Sequence, residues 1–319
     1  MKKMIALTMA ILMLLMLTAC GSAAPTDDGK YTIGICQLVT HDALDAATEG
    51  FKAAVIAGLG EENVTFDPQN AAGDSNTCAS IVNAFVAAEV DLIMANATPA
   101  LQNAQAATAD IPILGTSVTE YGVALDIKDF TGTVGGNVSG TSDLAPLDEQ
   151  AAMLLEWFPD AKNVGLLYCS AEPNSKYQVD TIEALLEEKG LVCEPFPFAD
   201  SNDMQAVVNG ACEFSDVIYV PTDNAVASST DIIDGICRAA GVPIIAGEEG
   251  ICSGCGVATL SISYYDLGYK TGEMAVKVLK GEADISTMEI AYAPATKKYN
   301  AEICADLGLT VPEGYEAIG

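Results

Sequence analysis

Cationic residues are scarce in this chain: lysine and arginine total 14 against 44 aspartates and glutamates, for a formal net charge of −30. Arg238 is the only arginine. So acidic a surface repels nucleic-acid phosphates and anionic lipid headgroups, which argues against both as partners, and its plain physical use is solubility. Histidine and tryptophan occur once each, as His41 and Trp157. A single histidine leaves a zinc site short of its usual ligands, and no partner motif for nucleophilic or metal chemistry accompanies it. A helix-start or cleft-wall role fits His41 better than catalysis. Nucleotide loops are missing too, because Gly135-Gly136 lacks the Lys-Ser/Thr and the helix that would cradle a phosphate. These absences speak against an enzyme, whether hydrolase or nucleotide-dependent catalyst, and imply no cofactor and no metal. Trp157, beside Leu154, Leu155 and Phe158, reads as core packing.

What is present begins with MKKMIALTMAILMLLMLTAC, two lysines followed by an apolar run over residues 5–17 and then Leu17-Thr18-Ala19-Cys20. This is a secretory signal layout. The run falls short of the roughly 20 residues of a membrane span, and nothing comparable recurs downstream. Leu-Thr-Ala-Cys resembles the lipobox of bacterial lipoproteins, which implies removal of residues 1–19 and a lipid on Cys20 that holds the chain outside the cell membrane. Residues 20–30, rich in small and polar types, read as a flexible tether. Nine further cysteines lie at positions 36, 78, 169, 193, 212, 237, 252, 255 and 304. Their odd number leaves one unpaired unless a metal or partner intervenes. Most sit in apolar runs as small buried hydrophobes; for Cys252-Ser-Gly-Cys255, the one short-range pair, a local disulfide is the favoured reading and buried thiols the alternative.

Strand-like and helical patterns alternate through the body. Strands are expected at residues 31–38, 63–66, 92–95 and 112–116, with helices at 41–57, 78–88 and 100–108; Leu44, Ala47, Phe51, Ala54 and Val55 mark the buried face of the first helix. This is a right-handed βαβ series on a parallel sheet. Glycines 132, 135, 136 and 140 punctuate a break over residues 117–144, which marks a domain boundary or crossover. A second series of similar plan follows: helices at 147–157, 176–189, 203–212 and 225–239, strands at 163–168, 191–196, 217–220 and 243–246. One more strand (257–262), one more helix (265–279) and a terminal strand and helix suggest that the chain crosses between lobes more than once. The resulting expectation is an α/β chain of two lobes with parallel sheets, residues 31–144 plus 256–284 forming the first and 145–255 plus 285–319 the second.

In open parallel sheets ligands bind beyond the carboxyl ends of the strands, so the cleft between the lobes is the expected site. The residues there are Gln37 and His41 after the first strand, Thr98 after the third, and Thr116 and Ser117 at the end of the fourth. In the second half they are Asn174 and Ser175, then Asp223 and Asn224, then Glu248. Hydroxyls and amides dominate the first half and carboxylates the second. Thr98-Pro99 looks like an N-cap followed by proline at the first helical position, a helix start whose free N–H groups favour an anion. An anion-accepting side facing an acidic one suits a zwitterion such as a free amino acid.

The segments QNAAGD (residues 69–74), DLIMANATPA (91–100), GGNVSGTSD (135–143), IYVPTDNAV (218–226) and YYDLGYKTGEMAVKVLKG (264–281) resemble the substrate-binding lipoproteins of ABC transporters, in particular the group assigned to tryptophan and tyrosine uptake. The resemblance runs over residues 31–312. It implies a type I periplasmic-binding architecture, two Rossmann-like lobes joined by about three crossovers that close like a hinge over an amino acid. It places Thr98 at the ligand carboxylate with Thr116 and Ser117 opposite, Asp223 and Asn224 on the other lobe, and Glu248 at the ammonium; Asn174 and Ser175 fall in a further matching stretch. Ser117 stands where other members often have alanine. The implied partners are a small solute, a permease and an ATPase, with a monomeric chain tethered to the membrane through Cys20. A sensory lipoprotein presenting its ligand to a receptor kinase, or a binder of sugars or nucleosides, stands as the alternative. Asp223→Ala and Glu248→Ala are expected to weaken ligand binding while leaving thermal stability near the parent value.

Overall fold

The computed structural model describes residues 30–318, so the leader, Cys20 and all but the last residue of the tether lie outside the described residues. The first lobe runs β1 (Tyr31–Gln37), α1 (Asp42–Leu59), β2 (Val64–Asn70), α2 (Ser75–Ala87), β3 (Leu92–Asn96), α3 (Thr98–Ala107), β4 (Ile113–Val118), the short α4 (Tyr121–Ala124) and β5 (Val138–Ser142). The second continues with α5 (Leu147–Trp157), β6 (Asn163–Cys169), α6 (Pro173–Glu187), β7 (Val192–Phe198), α7 (Ser201–Phe214) and β8 (Val217–Val220). It then adds α8 (Asn224–Ala227), α9 (Thr230–Ala240), β9 (Ile244–Ala246), α10 (Glu249–Cys255) and β10 (Ala258–Ser261). The chain returns to the first lobe with α11 (Tyr264–Leu279) and β11 (Ala291–Tyr292), and ends in the second with β12 (Thr296–Tyr299), α12 (Ala301–Asp306) and β13 (Glu316–Ala317).

The sheets have the strand orders β11-β5-β4-β3-β1-β2 and β13-β12-β10-β9-β8-β6-β7, and every pairing is parallel except β10 with β12. Each sheet is covered by helices on both faces, as parallel strands require. In the first lobe Ile33, Ile35, Phe51, Leu92, Met94 and Met274 fill one face and Cys36, Val82, Phe85, Ile93 and Leu101 the other. The second lobe is built alike, with Leu154, Leu166, Ile182 and Leu260 on one side and Leu167, Val208, Ile218 and Ile251 on the other. Trp157 belongs to this core, edge-on to Tyr315 with ring centres 5.2 Å apart. The chain passes between lobes at residues 143–146, 262–263 and 293–295, the three crossovers expected. Among the described residues no helix is long and apolar enough to cross a membrane.

Four details differ from the sequence expectation. The segment 117–144 contains α4 and the fully buried strand β5. Its sequence, VSGTS, hides the strand because glycine and hydroxyl residues replace the usual β-branched apolar ones; at Gly140 (φ +149°) a Cβ would run into the Gly115 backbone, so only glycine permits that close approach. The lobe boundaries also shift: β10 extends the second sheet beside β9, while β11 joins the first sheet beside β5, so 256–263 belongs to the second lobe and 285–292 to the first. The helix expected at 225–239 is two helices broken at Ser228-Ser229. Finally, Cys252 and Cys255 form no local disulfide: both are free and buried on α10 against the sheet, an i, i+3 pair on a helix that packs as small apolar groups. Thiols approach one another elsewhere: Cys212 on α7 and Cys237 on α9, with Sγ atoms 3.4 Å apart, and Cys36 on β1 with Cys78 on α2.

Helices α1 and α11 cross at glycines. A Cβ on Gly50 would overlap the Tyr265 carbonyl, and one on Gly268 the Ala47 carbonyl. That contact fixes both His41, at the start of α1, and Tyr264, at the start of α11. Gly268→Ala is therefore expected to destabilise the protein by about 1–3 kcal/mol through overpacking, read as a fall in the thermal midpoint.

Candidate functional site

Both sheets place their topological switch points, between β1 and β3 and between β6 and β8, at the interlobe cleft, where such sheets bind ligands. A small closed cavity of about 10 Å³ lies there. His41, Leu44, Ser117, Thr119 and Asp143 line it from the first lobe and the first crossover, Asn174, Thr222, Asp223, Asn224, Ala227 and Glu248 from the second lobe, and Tyr264 from the start of α11, just past the second crossover. With the lobes closed this far the cavity has room for about one water molecule. His41 Nε2 and Asn224 Oδ1 meet across the cleft at 3.2 Å, so the lobes touch.

Six of the ten residues expected from sequence line this cavity: His41, Ser117, Asn174, Asp223, Asn224 and Glu248. The other four do not. Gln37 turns into α1, where its amide donates to Asp45 and its carbonyl accepts from Thr48. Thr116 accepts a hydrogen bond from Thr141, which is itself 2.8 Å from Thr271 Oγ1. Ser175 is wholly buried beneath Asn174 and bonds the Thr222 carbonyl. Thr98 is the first residue of α3 rather than its cap; Ala97 caps the helix at φ +91° and accepts the Leu101 N–H. The anion-binding helix start expected at Thr98 thus lies outside the cavity wall.

Ser117 is held there by an irregularity. The β4–β5 register shifts between Gly115 and Val118, and Ser117 takes the left-handed φ of +53°. A bulge of this kind re-aims a side chain. Its Oγ is buried without a hydrogen-bond partner among the described residues, as are Asp143 Oδ1 and Asn174 Oδ1.

The second-lobe carboxylates serve helix starts. Asp223 caps α8, accepting from Val226 N–H at 2.9 Å, and its other oxygen accepts from Cys169 N–H at 2.7 Å across the switch point. Glu172, behind it, accepts from the backbone N–H groups of Asn224 and Ala225 and from the Asn224 side chain. Glu248 caps α10, taking Gly250 and Ile251 N–H at 2.7 and 2.5 Å. Asp143, in the first crossover, accepts from the Tyr264 hydroxyl at 2.9 Å.

None of these acids has a lysine or arginine beside it in the cavity wall, and burial raises them all. Asp143 is pushed up to about 6 and Glu248 to about 7, chiefly by desolvation. Desolvation also raises Asp223, and it raises Glu172 together with the nearby Asp223 charge. His41 moves the opposite way: burial lowers its pKa, so the imidazole is neutral near pH 7. The arrangement is one of ionisable acceptors awaiting a donor, with no nucleophile and base pair among the lining residues.

Sequence reasoning missed Asp143 and Tyr264, whereas Thr119 and Thr222 fall among the residues just past strands where a ligand is expected. Asp143 and Tyr264 stand where the chain changes lobe, in segments read as a boundary break and as a helix start. Their signals were an aspartate just past a glycine-rich stretch and a tyrosine just past an apolar strand, and nothing local marks either as buried in a cleft.

Two parallel-sheeted lobes, three crossovers and a polar cleft between them define a solute-binding protein of the type I periplasmic-binding architecture. The sequence pattern of the ABC transporter substrate binding protein family matches residues 32–315, and the chain belongs to that family, whose members bind substrates rather than transform them. It is 38% identical over 295 residues to a tyrosine-binding protein of Clostridioides difficile strain R20291, covering 88% of this chain and 85% of the relative. A solved domain from Streptococcus pneumoniae in complex with L-Trp is 31% identical, with TM-score 0.85 over 91% of this chain and 100% of that one. A ligand-free, open substrate-binding protein with adhesive properties from Clostridium difficile is 38% identical, with TM-score 0.69 over 90% and 99%.

Two expectations follow from the site. Between about pH 5 and 7 the unfolded chain has released the protons that Asp143 and Glu248 still hold when folded, so the unfolded state binds fewer protons and stability falls as pH rises. Glu248→Gln should flatten that decline by up to about 3 kcal/mol, measured as the pH dependence of ligand-free unfolding. Asp223→Ala, expected from sequence to be neutral for stability, instead strips two backbone N–H groups of their acceptor. It should cost about 1–2 kcal/mol, and Asp223→Asn less, in denaturant titrations.

Proposed function

We propose that this chain is the solute-binding lipoprotein of an ABC importer, lipid-anchored through Cys20 outside the cytoplasm, which closes over an amino acid with an aromatic side chain and delivers it as a monomer to a membrane permease and its ATPase. The observation that carries the reading is the set of buried acids in the closed cleft, with unpartnered acceptors on Asp143 and Asn174. An α-ammonium supplies the charge and the donors this wall lacks. Leu44, Ala227 and Tyr264 are the apolar part of the lining.

Relatives support the choice of cargo: one is named for tyrosine, and another was solved with L-Trp. Hinge closure draws support from the fit to those structures. The chain superposes better on the L-Trp complex than on the open, ligand-free protein, although the latter is nearer in sequence. The tether then gives the closed lobes reach to the permease while Cys20 holds them at the membrane. Asp143 and Glu248 are assigned to the ammonium, and His41 and Asn224 close the two lobes.

Isothermal calorimetry of the folded body against the twenty amino acids tests this. Tyrosine or tryptophan should bind tightest, with a Kd below about 100 μM, or roughly −5.5 kcal/mol. Failure of every amino acid to reach that affinity overturns the reading.

A further inference from the structure

Nine cysteines among the described residues are free, and one pair of them meets within reach of solvent. Cys212 on α7 and Cys237 on α9 have Sγ atoms 3.4 Å apart. Packing dictates the meeting. Helix α7 turns Met204, Val208 and Ala211 onto one face of the second sheet, and α9 turns Ile233 and Cys237 onto the same face. Each thiol stands one helical turn after an apolar residue of its own helix, Val208 or Ile233, so the two buried stripes bring the sulfurs together. Cys237 is buried beneath the pair, whereas Cys212 is half-buried. Their hydrogen bond lowers the Cys212 thiol pKa, while the same contact and burial raise Cys237. The more accessible sulfur is thus also the one that ionises first.

The other thiols lack either access or a partner. Cys36 and Cys78 approach one another but are wholly buried. Cys169, Cys252, Cys255 and Cys304 are buried as well. Cys193 is half-buried but has no thiol partner among the described residues, and burial, with Glu183 and Glu187 nearby, pushes it up to about 12. Metal binding does not account for the Cys212 and Cys237 contact, because among the described residues no group of three histidines, cysteines or acids could hold an ion.

We propose that Cys212 and Cys237 form a modification site, a thiol pair that a low-molecular-weight disulfide oxidises to an intramolecular bond between α7 and α9. The Cys212 thiolate attacks one sulfur of the reagent RSSR, releasing RS⁻ and leaving a mixed disulfide on Cys212. Cys237 then gives up its proton, and its sulfur displaces the second RS⁻ from Cys212. Two protein thiols are oxidised while one RSSR is reduced to two RSH. The two cysteines lie 25 positions apart, and the segment between them carries β8 and the cleft-wall residues Thr222, Asp223 and Asn224. Closing that loop restricts the unfolded chain, so the bond staples the wall segment of the second lobe. This chemistry belongs to the pair whatever the cargo. The placement outside the cytoplasm proposed above enters only as the compartment in which disulfides persist.

Cystamine, a cationic disulfide suited to so acidic a chain, is the probe. The folded body is incubated with it, free thiols are counted by alkylation in denaturant, and linked peptides are mapped by mass spectrometry. The count should fall from nine to seven and return to nine with dithiothreitol, and one peptide should join Cys212 to Cys237. That bond should form at least about tenfold faster than any other cysteine is consumed. Cys237→Ala should stop at the mixed disulfide on Cys212, and Cys212→Ser should leave Cys237 unmodified over the same time. The oxidised parent should unfold about 3–10 °C above the reduced one, a gain absent from Cys212→Ser. Nine thiols retained, a lasting mixed disulfide on Cys212 in the parent, or a bond from either cysteine to Cys255, which lies near Cys237, overturns the proposal. So does a thermal gain that is missing from the bonded parent or survives in Cys212→Ser.

Discussion

Carboxylates buried without a cation are the constraint on which this cleft depends. Asp143, Glu172, Asp223 and Glu248 are each more than nine-tenths buried where the lobes meet. Leaving a charge so placed is costly unless it is hydrogen-bonded or paired, and the protein offsets the cost in two ways. Backbone N–H groups at the starts of α8 and α10 solvate Glu172, Asp223 and Glu248. Asp143 has the hydroxyls of Tyr264 and Thr119 and one oxygen left unfilled. What stays uncompensated is the pull toward protonation, which a donor-rich ligand would relieve.

The fold delivers these groups to one place by repetition. In each lobe the order of strands reverses beside the first strand of the series, and the loops beyond that reversal face the other lobe. The second lobe brings Asn174 after β6, Asp223 after β8 and Glu248 after β9; the first brings His41 after β1 and Ser117 at the β4 bulge. The crossovers add Asp143 and Tyr264. Motion of one lobe against the other changes the site at its hinge as well as at its rim, because those two residues are bonded to each other at the hinge itself. The tight α1–α11 crossing holds the first-lobe partners as a unit.

Much of this was legible in the chain. The apolar stripe of Leu44, Ala47, Phe51, Ala54 and Val55 marked the buried face of α1, and all five are buried. Asp223 and Glu248, read as cleft carboxylates from their place after strands, do line the cavity. The same rule overreached at Gln37, Thr116 and Ser175, because side chains after a strand alternate between the cleft and the lobe interior, and a shift of one residue decides which. It also could not see that a capping carboxylate and a ligand-facing one can be the same residue.

The sequence by itself determined the alternation of strands and helices, the two-lobed plan, the acidic character of the second half of the cleft, and the resemblance to substrate-binding lipoproteins, since all of these follow from local periodicity, composition and contiguous motifs. Only the tertiary structure decided that β10 and β11 exchange lobes, that Asp143 and Tyr264 belong to the site, and that the starts of α8 and α10 are already occupied by the protein's own carboxylates. Those facts depend on residues distant in the chain meeting at one point: Asp143 and Tyr264 lie 121 positions apart, and the desolvation that raises their pKa values exists only once the lobes pack around them.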